Sequence, residues 1–183
     1  MYGYDNFYYN QKHKVFISFY RHDDQKYKET LEYLFGNTVI NKSVSNGEYN
    51  TDISDEYVKR LIREDKISDA SVVVVLVGPN TKNRKHVDWE IYAGLSRYIN
   101  GNAGLIGVLL PTFPLYSGKY YYQDIPARLA DNIKTGYADI YTWDDFTSNY
   151  SSYIQEAFDN RSKRRSMIDN SRLQMKQNKW WGT

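Results

Sequence analysis

The hydrophobic pattern is clearest between Ser71 and Tyr98. Residues 71–77 (SVVVVLV) are almost all β-branched or apolar, residues 78–80 (GPN) stop that run, and a periodic apolar segment follows from about His86. An unbroken Val/Leu run between turn residues predicts a strand buried on both faces, as in a parallel sheet. The periodic segment predicts an amphipathic helix. The stretch is therefore expected to form half of a βαβ unit.

Segments that predict strands and segments that predict helices alternate along the rest of the chain. The pattern predicts four further strands, over residues 14–20, 38–44, 104–110 and 138–142. It also predicts a helix that Asp23 or Asp24 caps and Gly36 ends, and further helices over residues 55–67, 125–133 and from 144 onward. Residues 112–124, with one proline, a glycine and YYY, predict a long loop.

These elements predict an α/β protein of the flavodoxin-like class. Strands that alternate with helices favour an open five-stranded parallel sheet of order 2-1-3-4-5, with helices on both faces in three layers. A C-terminal helical extension follows the last strand. We expect a tyrosine-rich lead-in over residues 1–13, the domain over 14–160 and a basic helical tail over 161–183, which begins with RSKRR.

Composition narrows the class of protein. Of the 183 residues none is cysteine and the net charge is +2, so a disulfide framework is excluded and nothing global favours nucleic-acid or membrane binding. The N-terminus lacks a signal pattern, and no apolar run approaches the ~18 residues of a spanning helix. We expect a cytoplasmic protein. The RSKRR run is better explained as a solvated helix end than as a nucleic-acid contact.

The expected topology gathers candidate site residues at one edge of the sheet. Ligands of open α/β sheets bind at the carboxyl ends of the strands, beside the switch point. Here the ends of the first and third strands meet, and the loop over residues 46–52 is expected nearby. The residues expected to converge there are Ser18, Phe19, Tyr20, Arg21, His22 and Asp23 after the first strand, and Asn80, Thr81 and the helix that carries Glu90 after the third.

Glu90 is the candidate with the most definite position. The stripe formed by Val87, Ile91, Leu95 and Tyr98 packs on the sheet, and Glu90 falls about 60° off it, so we expect a half-shielded side chain facing the loops. A carboxylate there can accept hydrogen bonds from ribose hydroxyls or stabilise charge at an anomeric carbon. Glutamate in a first helical turn is also favoured by the macrodipole alone. Spacing leaves both interpretations open.

Other chemistries find little support. No GxGxxG follows a strand and no GxxxxGK[ST] is present, so the usual phosphate-binding loops are missing. The three histidines are too scattered for a metal site, and no serine lies in a nucleophile-elbow pattern. A phosphoacceptor aspartate is not found at the end of the third strand, where residues 77–79 are VGP.

Three segments together resemble a known family. KVFISFYRHDDQKY resembles the opening strand and loop of TIR domains, and SDASVVVVLVGPNTKNRKHVDWEI resembles their third strand and the helix that carries the family's glutamate. With YVKRLIRED before it and VDWEI within it, the chain looks like the TIR-like group that includes ThsB of the Thoeris anti-phage system. The resemblance covers about residues 14–110.

The resemblance implies an NAD⁺-consuming signalling enzyme. Glu90 would be the catalytic glutamate that engages the nicotinamide-side ribose while the N-glycosidic bond breaks, with NAD⁺ as substrate and no further cofactor or metal. Residues 18–21 with Asp23 would line the pocket, and His86 and Trp89 would flank it. The product would be a cyclic ADP-ribose-type signal that activates a separate ThsA-like effector. A phage-derived activator and a homo-oligomer are compatible with the resemblance.

The chain departs from the family's pattern beside the glutamate. Ordinary TIR domains often have S-x-W-C-x-x-E, whereas residues 84–90 are RKHVDWE, which keeps only the glutamate. Two alternatives follow. The first is a non-catalytic TIR-like adaptor that assembles through the tyrosine-rich N-terminus and the 112–124 loop. The second is a nucleoside or nucleotide N-glycosidase that uses Glu90 on a smaller substrate.

Overall fold

The computed structural model describes residues 12–36, 39–41, 54–62, 67–96 and 101–179. The predicted loop over 46–52 and almost all of the predicted lead-in over 1–13 lie outside these ranges. The strands are β1 His13–Ser18, β2 Val39–Asn41, β3 Val72–Val77, β4 Gly104–Leu109 and β5 Asp139–Thr142. The helices are α1 Arg21–Phe35, α2 Asp55–Leu61, α3 Lys85–Leu95, α4 Ala127–Lys134 and α5 Trp143–Lys163.

The five strands form one parallel sheet of order β2-β1-β3-β4-β5, which confirms the predicted topology. β3 is central, and all six of its residues are buried. Its alternate side chains enter two separate cores, because successive residues of a strand point to opposite faces. Val73, Val75 and Val77 join a core with α2, α3 and α4, whereas Val72, Val74 and Leu76 join a core with α1 and α5.

Glycines let two helices approach the sheet closely. A Cβ added at Gly104 in β4 would lie 2.3 Å from the carbonyl oxygen of Ala157 in α5. A Cβ added at Gly94 in α3 would lie 2.7 Å from Cγ2 of Val73 in β3. Since real Cβ atoms essentially never come so near, α3 packs against β3 at a distance that only glycine permits.

Two predicted boundaries were wrong. α1 begins at Arg21 with Tyr20 at the N-cap position, so Asp23 and Asp24 lie in the first turn rather than capping the helix. The predicted helical tail ends early: α5 stops at Lys163, a single 3-10 turn covers Arg165–Met167, and the described residues after it contain no helix. Residues 168–179, called the C-terminal strap below, instead run across α4 and α3 as irregular chain.

Candidate functional site

Glu90 and Ser18 form the centre of the candidate site. Ser18 is the last residue of β1 and Glu90 lies in the second turn of α3, and the Ser18 hydroxyl donates a hydrogen bond of 2.6 Å to Oε2 of Glu90. Glu90 is 6% exposed and Ser18 is fully buried. The prediction that the end of the first strand faces Glu90 is therefore confirmed in geometry, but the carboxylate is more buried than the expected half-shielded position.

The burial of Glu90 follows from how α3 packs on the sheet. Val87 and Ile91 anchor the helix on the face of β3, and Gly94 brings its last turns close to Val73. Glu90, about 60° from that stripe, then turns toward the neighbouring strand β1, where Ser18 is the side chain on the same face. A buried carboxylate needs hydrogen-bond donors, and Ser18 supplies one.

A second polar group joins the loops after β1 and β3. Asn80 donates from Nδ2 to Oδ2 of Asp23 at 2.7 Å, and His22 contacts the other carboxylate oxygen at 2.6 Å. Burial alone would raise the pKa of Asp23, but the hydrogen bonds from Asn80 and His22 outweigh it and hold the pKa below its ordinary value. Asp23 is consequently an anion at neutral pH, at the carboxyl edge of the sheet.

The aromatic side chain of Tyr20 lies beside this group. The guanidinium of Arg84, which precedes α3, is 3.7 Å from the centre of the Tyr20 ring, and the His22 ring stacks on it at 5.9 Å. Tyr20 is half-buried and Arg21 is exposed at the start of α1. Phe19 points the other way, since it packs against the core of α1 and α5, on the opposite face of the sheet from Glu90.

His86 and Trp89 pack against one another on α3, with ring centroids 5.1 Å apart. Burial and the neighbouring Lys85 lower the pKa of His86, against a weaker opposite effect of Asp55. His86 is consequently neutral at neutral pH. Trp89 is 1% exposed and lies in the core, and its indole Nε1 donates to the carbonyl of Met175 at 2.8 Å. It is thus tied to the C-terminal strap.

Asp24, expected as a candidate N-cap, is instead a buried group, 1% exposed. Thr81 accepts a hydrogen bond from the Gly78 amide at 2.8 Å and donates one to Oδ2 of Asp24 at 3.3 Å. A Cβ added at Gly78 would lie 2.6 Å from Oδ1 of Asp24, so the turn after β3 closes directly over the carboxyl group. Burial raises the pKa of Asp24 to about 6, although the hydrogen bond from Thr81 opposes it.

A cavity of about 400 Å³ lies next to the site, between the N-terminal ends of α3 and α4 and the C-terminal strap. None of the predicted site residues lines it. Its walls are formed by Lys82, Arg84, Asp88, Pro126, Ala127, Arg172, Leu173, Met175 and Lys179. In the described part of the chain, no group of three or more acidic or histidine side chains could hold a metal ion. None of the described helices is long and apolar enough to cross a membrane.

The parallel sheet of order β2-β1-β3-β4-β5 defines an α/β domain of the flavodoxin-like and TIR-like class. A family model described as Thoeris protein ThsB, TIR-like domain, matches residues 16–113, more than half of the 183 residues. The chain belongs to this family, and as such it is a TIR-like module of the defence-signalling type. The matched segment contains the end of β1 and all of β3 and α3, and with them Ser18 and Glu90.

The other comparisons add little. Among solved structures, the chain is similar to the TIR domains in "Structure of the activated Roq1 resistosome directly recognizing the pathogen effector XopQ", with a TM-score of 0.41 and 12% identity. That alignment covers 86% of this chain and 84% of the other. No curated protein matches the chain. The match to the family model over residues 16–113 is therefore what shows the family.

Proposed function

We propose that the protein cleaves NAD⁺ at the nicotinamide–ribose bond and forms a cyclic ADP-ribose-type signal that activates a ThsA-like effector. The observation that carries the proposal is the buried Glu90 carboxylate, hydrogen-bonded to Ser18 at the carboxyl edge of the sheet. By the resemblance of the VDWEI segment to the family's helix, Glu90 would be its glutamate, and some TIR domains cleave NAD⁺. NAD⁺ is the substrate, and the proposal needs no further cofactor.

The proposed chemistry is a substitution at C1′ of the nicotinamide-side ribose. The Glu90 carboxylate accepts hydrogen bonds from ribose hydroxyls and stabilises the positive charge that develops on the sugar. The C1′–N bond breaks and its electron pair leaves with neutral nicotinamide. A ribose hydroxyl or an adenine nitrogen of the same molecule then bonds to C1′, and an attacking hydroxyl loses its proton. The Ser18 hydroxyl holds the carboxylate oriented throughout.

The loops after β1 and β3 would bind the remainder of the substrate. The Tyr20 ring, which Arg84 and His22 already contact, would form an aromatic wall, and the polar edge of Asp23 and Asn80 offers hydrogen-bond partners. His86 is neutral, so its ring can both donate and accept a hydrogen bond. Arg21 lies at the same edge and is exposed.

The test compares infected cells that carry the wild type, Glu90→Gln, or the matched control Glu156→Gln. Glu156 lies on α5, far along the chain from the site, and its side chain is 52% exposed. Mass spectrometry of small-molecule filtrates should find nicotinamide and a cyclic ADP-ribose-type product in the wild type and the control. The Glu90→Gln cells should contain at least 100-fold less. Equal product in all three would remove Glu90 from the mechanism.

Two alternatives predict other outcomes of that experiment. An adaptor that assembles without turnover is favoured by the exposed side chains of Leu115, Tyr116, Tyr121 and Tyr122 in the 112–124 loop, which are 43–53% exposed. Defence without product in the wild type would support it. An N-glycosidase acting on a smaller substrate would instead leave NAD⁺ intact and release a free base from added nucleosides or nucleotides.

A further inference from the structure

The C-terminal strap is bonded to α3, the helix that carries Glu90. The α3 N-cap residue, Arg84, makes no side-chain capping bond. Instead the Lys85 amide donates to Oδ1 of Asn178 at 2.9 Å, so a residue 93 positions later supplies the missing cap. Next to this bond, the Lys179 amide donates to the carbonyl of Asn83 at 3.0 Å.

A second set of bonds joins the middle of the strap to Asp88, two residues before Glu90. Asp88 is 5% exposed and Arg128 of α4 is fully buried. Arg128 Nε donates to Asp88 Oδ1 at 3.0 Å, and the Met175 amide donates to Asp88 Oδ2 at 2.8 Å. The remaining nitrogens of Arg128 bond the strap, at Oδ1 of Asn170 and the carbonyl of Arg172, at 2.9 and 2.8 Å. Asp88 and Arg128 therefore lock α3, α4 and the strap together.

The strap holds α3 on the side away from Glu90. At about 100° per residue, Asp88 and Glu90 lie about 160° apart around the helix. Ser18 on β1 therefore holds one side of α3, and the strap holds the other. A reacting group must be placed within a fraction of an ångström to act in the transition state. The contacts on these two sides of α3 therefore determine how precisely the Glu90 carboxylate is positioned.

We infer that Asn178, with the Asp88–Arg128 pair, positions Glu90 by fixing α3 against the sheet. The effect on turnover rests on the proposed function, whereas the effect on the stability of α3 does not depend on it. The strap is then part of the site's scaffold although it lies outside the family match over residues 16–113.

Asn178→Ala is the most informative variant. It removes the side chain that accepts the hydrogen bond from the Lys85 amide, and it leaves the buried Asp88–Arg128 pair intact. Asn178→Asp is the conservative variant, since a carboxylate can still accept from the Lys85 amide. Arg172→Ala is the matched control. It removes a bond between the strap and Asp131 of α4 without removing a bond to α3.

Two measurements are made on each full-length variant. In Asn178→Ala, amide hydrogen exchange in the first turn of α3 should be about five-fold faster, the loss typical of an N-cap. When the protein has been activated by the phage-derived component, kcat for NAD⁺ cleavage by Asn178→Ala should fall about five-fold while KM stays within about two-fold. Asn178→Asp should restore both values, and Arg172→Ala should change neither.

Unchanged exchange in α3 of Asn178→Ala would overturn the inference. So would faster exchange with an unaltered kcat, since that result would make the strap a purely structural clamp. If the wild type cleaves no NAD⁺ in any state, the proposed function fails, and the exchange measurement alone then decides whether the strap fixes α3.

Discussion

Two carboxylates on α3, Asp88 and Glu90, are equally buried but held in different ways. Asp88 is 5% exposed and accepts bonds from the guanidinium of Arg128 and the Met175 amide. Glu90 is 6% exposed and accepts a bond from the neutral hydroxyl of Ser18. The first arrangement closes a three-way junction of α3, α4 and the strap, whereas the second lies at the carboxyl edge of the sheet. Burial alone therefore does not distinguish the structural carboxylate of Asp88 from the proposed catalytic carboxylate of Glu90.

The sharpest test of this difference is a pair of isosteric changes. Asp88→Asn should lower the free energy of unfolding by about 3–5 kcal/mol, because it leaves the charge of Arg128 buried without its counter-ion. Glu90→Gln keeps an oxygen that accepts from Ser18 and should cost about 1 kcal/mol. Urea unfolding of both variants measures the two values. Equal losses would contradict the distinction.

Asp24 extends the comparison to a buried carboxyl group that accepts hydrogen bonds from the Thr81 hydroxyl and the backbone of Tyr20. Its pKa in the folded protein, about 6, lies above the ordinary 3.8, so the folded state favours the protonated acid. The stabilising contribution is therefore complete below about pH 4 and is lost as the pH rises through about 6. Between pH 4 and pH 8 the wild type should lose about 2–3 kcal/mol from this group.

Asp24→Asn removes that dependence. The difference in unfolding free energy between the variant and the wild type should shift in favour of the variant by the same amount between these pH values. Chemical denaturation at pH 4, 6 and 8 measures it. A difference that does not change with pH would show that Asp24 does not titrate in this range.

Ser18→Ala should lower the free energy of unfolding by about 1 kcal/mol, the usual value of one hydrogen bond and the same as for Glu90→Gln. It should also lower NAD⁺ cleavage about ten-fold, because Glu90 loses the donor that orients it. Ser71→Ala is the matched control: it removes a buried hydroxyl that bonds Lys14 at the opposite end of the sheet. The control should lose similar stability and keep its turnover. A similar loss of turnover in both variants would argue against a role for Ser18.

The fold could be predicted from the sequence because it is dictated by apolar periodicity. The Val run from 72 to 77 predicts a strand that is buried on both faces, and the spacing of Val87, Ile91 and Leu95 predicts the face of α3 that packs on it. Once the strand order is known, Ser18 must lie at the same edge as Glu90. Periodicity also predicts the side of α3 on which Glu90 lies. It does not predict how deeply the carboxylate is buried, because the burial depends on the close packing that Gly94 permits.

The strap and the buried position of Asp24 could not be predicted in the same way. Bonds to the strap use backbone groups and short polar side chains such as Asn170 and Asn178, which carry no periodic signal. Arg128 looks like an ordinary arginine of a short helix, although it is fully buried. Asp24 looked like an N-cap because aspartates are frequent there, and only the three-dimensional turn at Gly78 brings a second loop over it.

The strap also affects the order in which the protein can be completed during synthesis. The chain leaves the ribosome from its N-terminus, so β1, β3 and α3 emerge before Asn170, Met175 and Asn178 do. Until Met175 and Asn178 emerge, Asp88 lacks the hydrogen bond from the Met175 amide and α3 lacks its cap. A nascent chain therefore carries Glu90 before the helix is fixed, and the finished arrangement forms only after Asn178 has been translated.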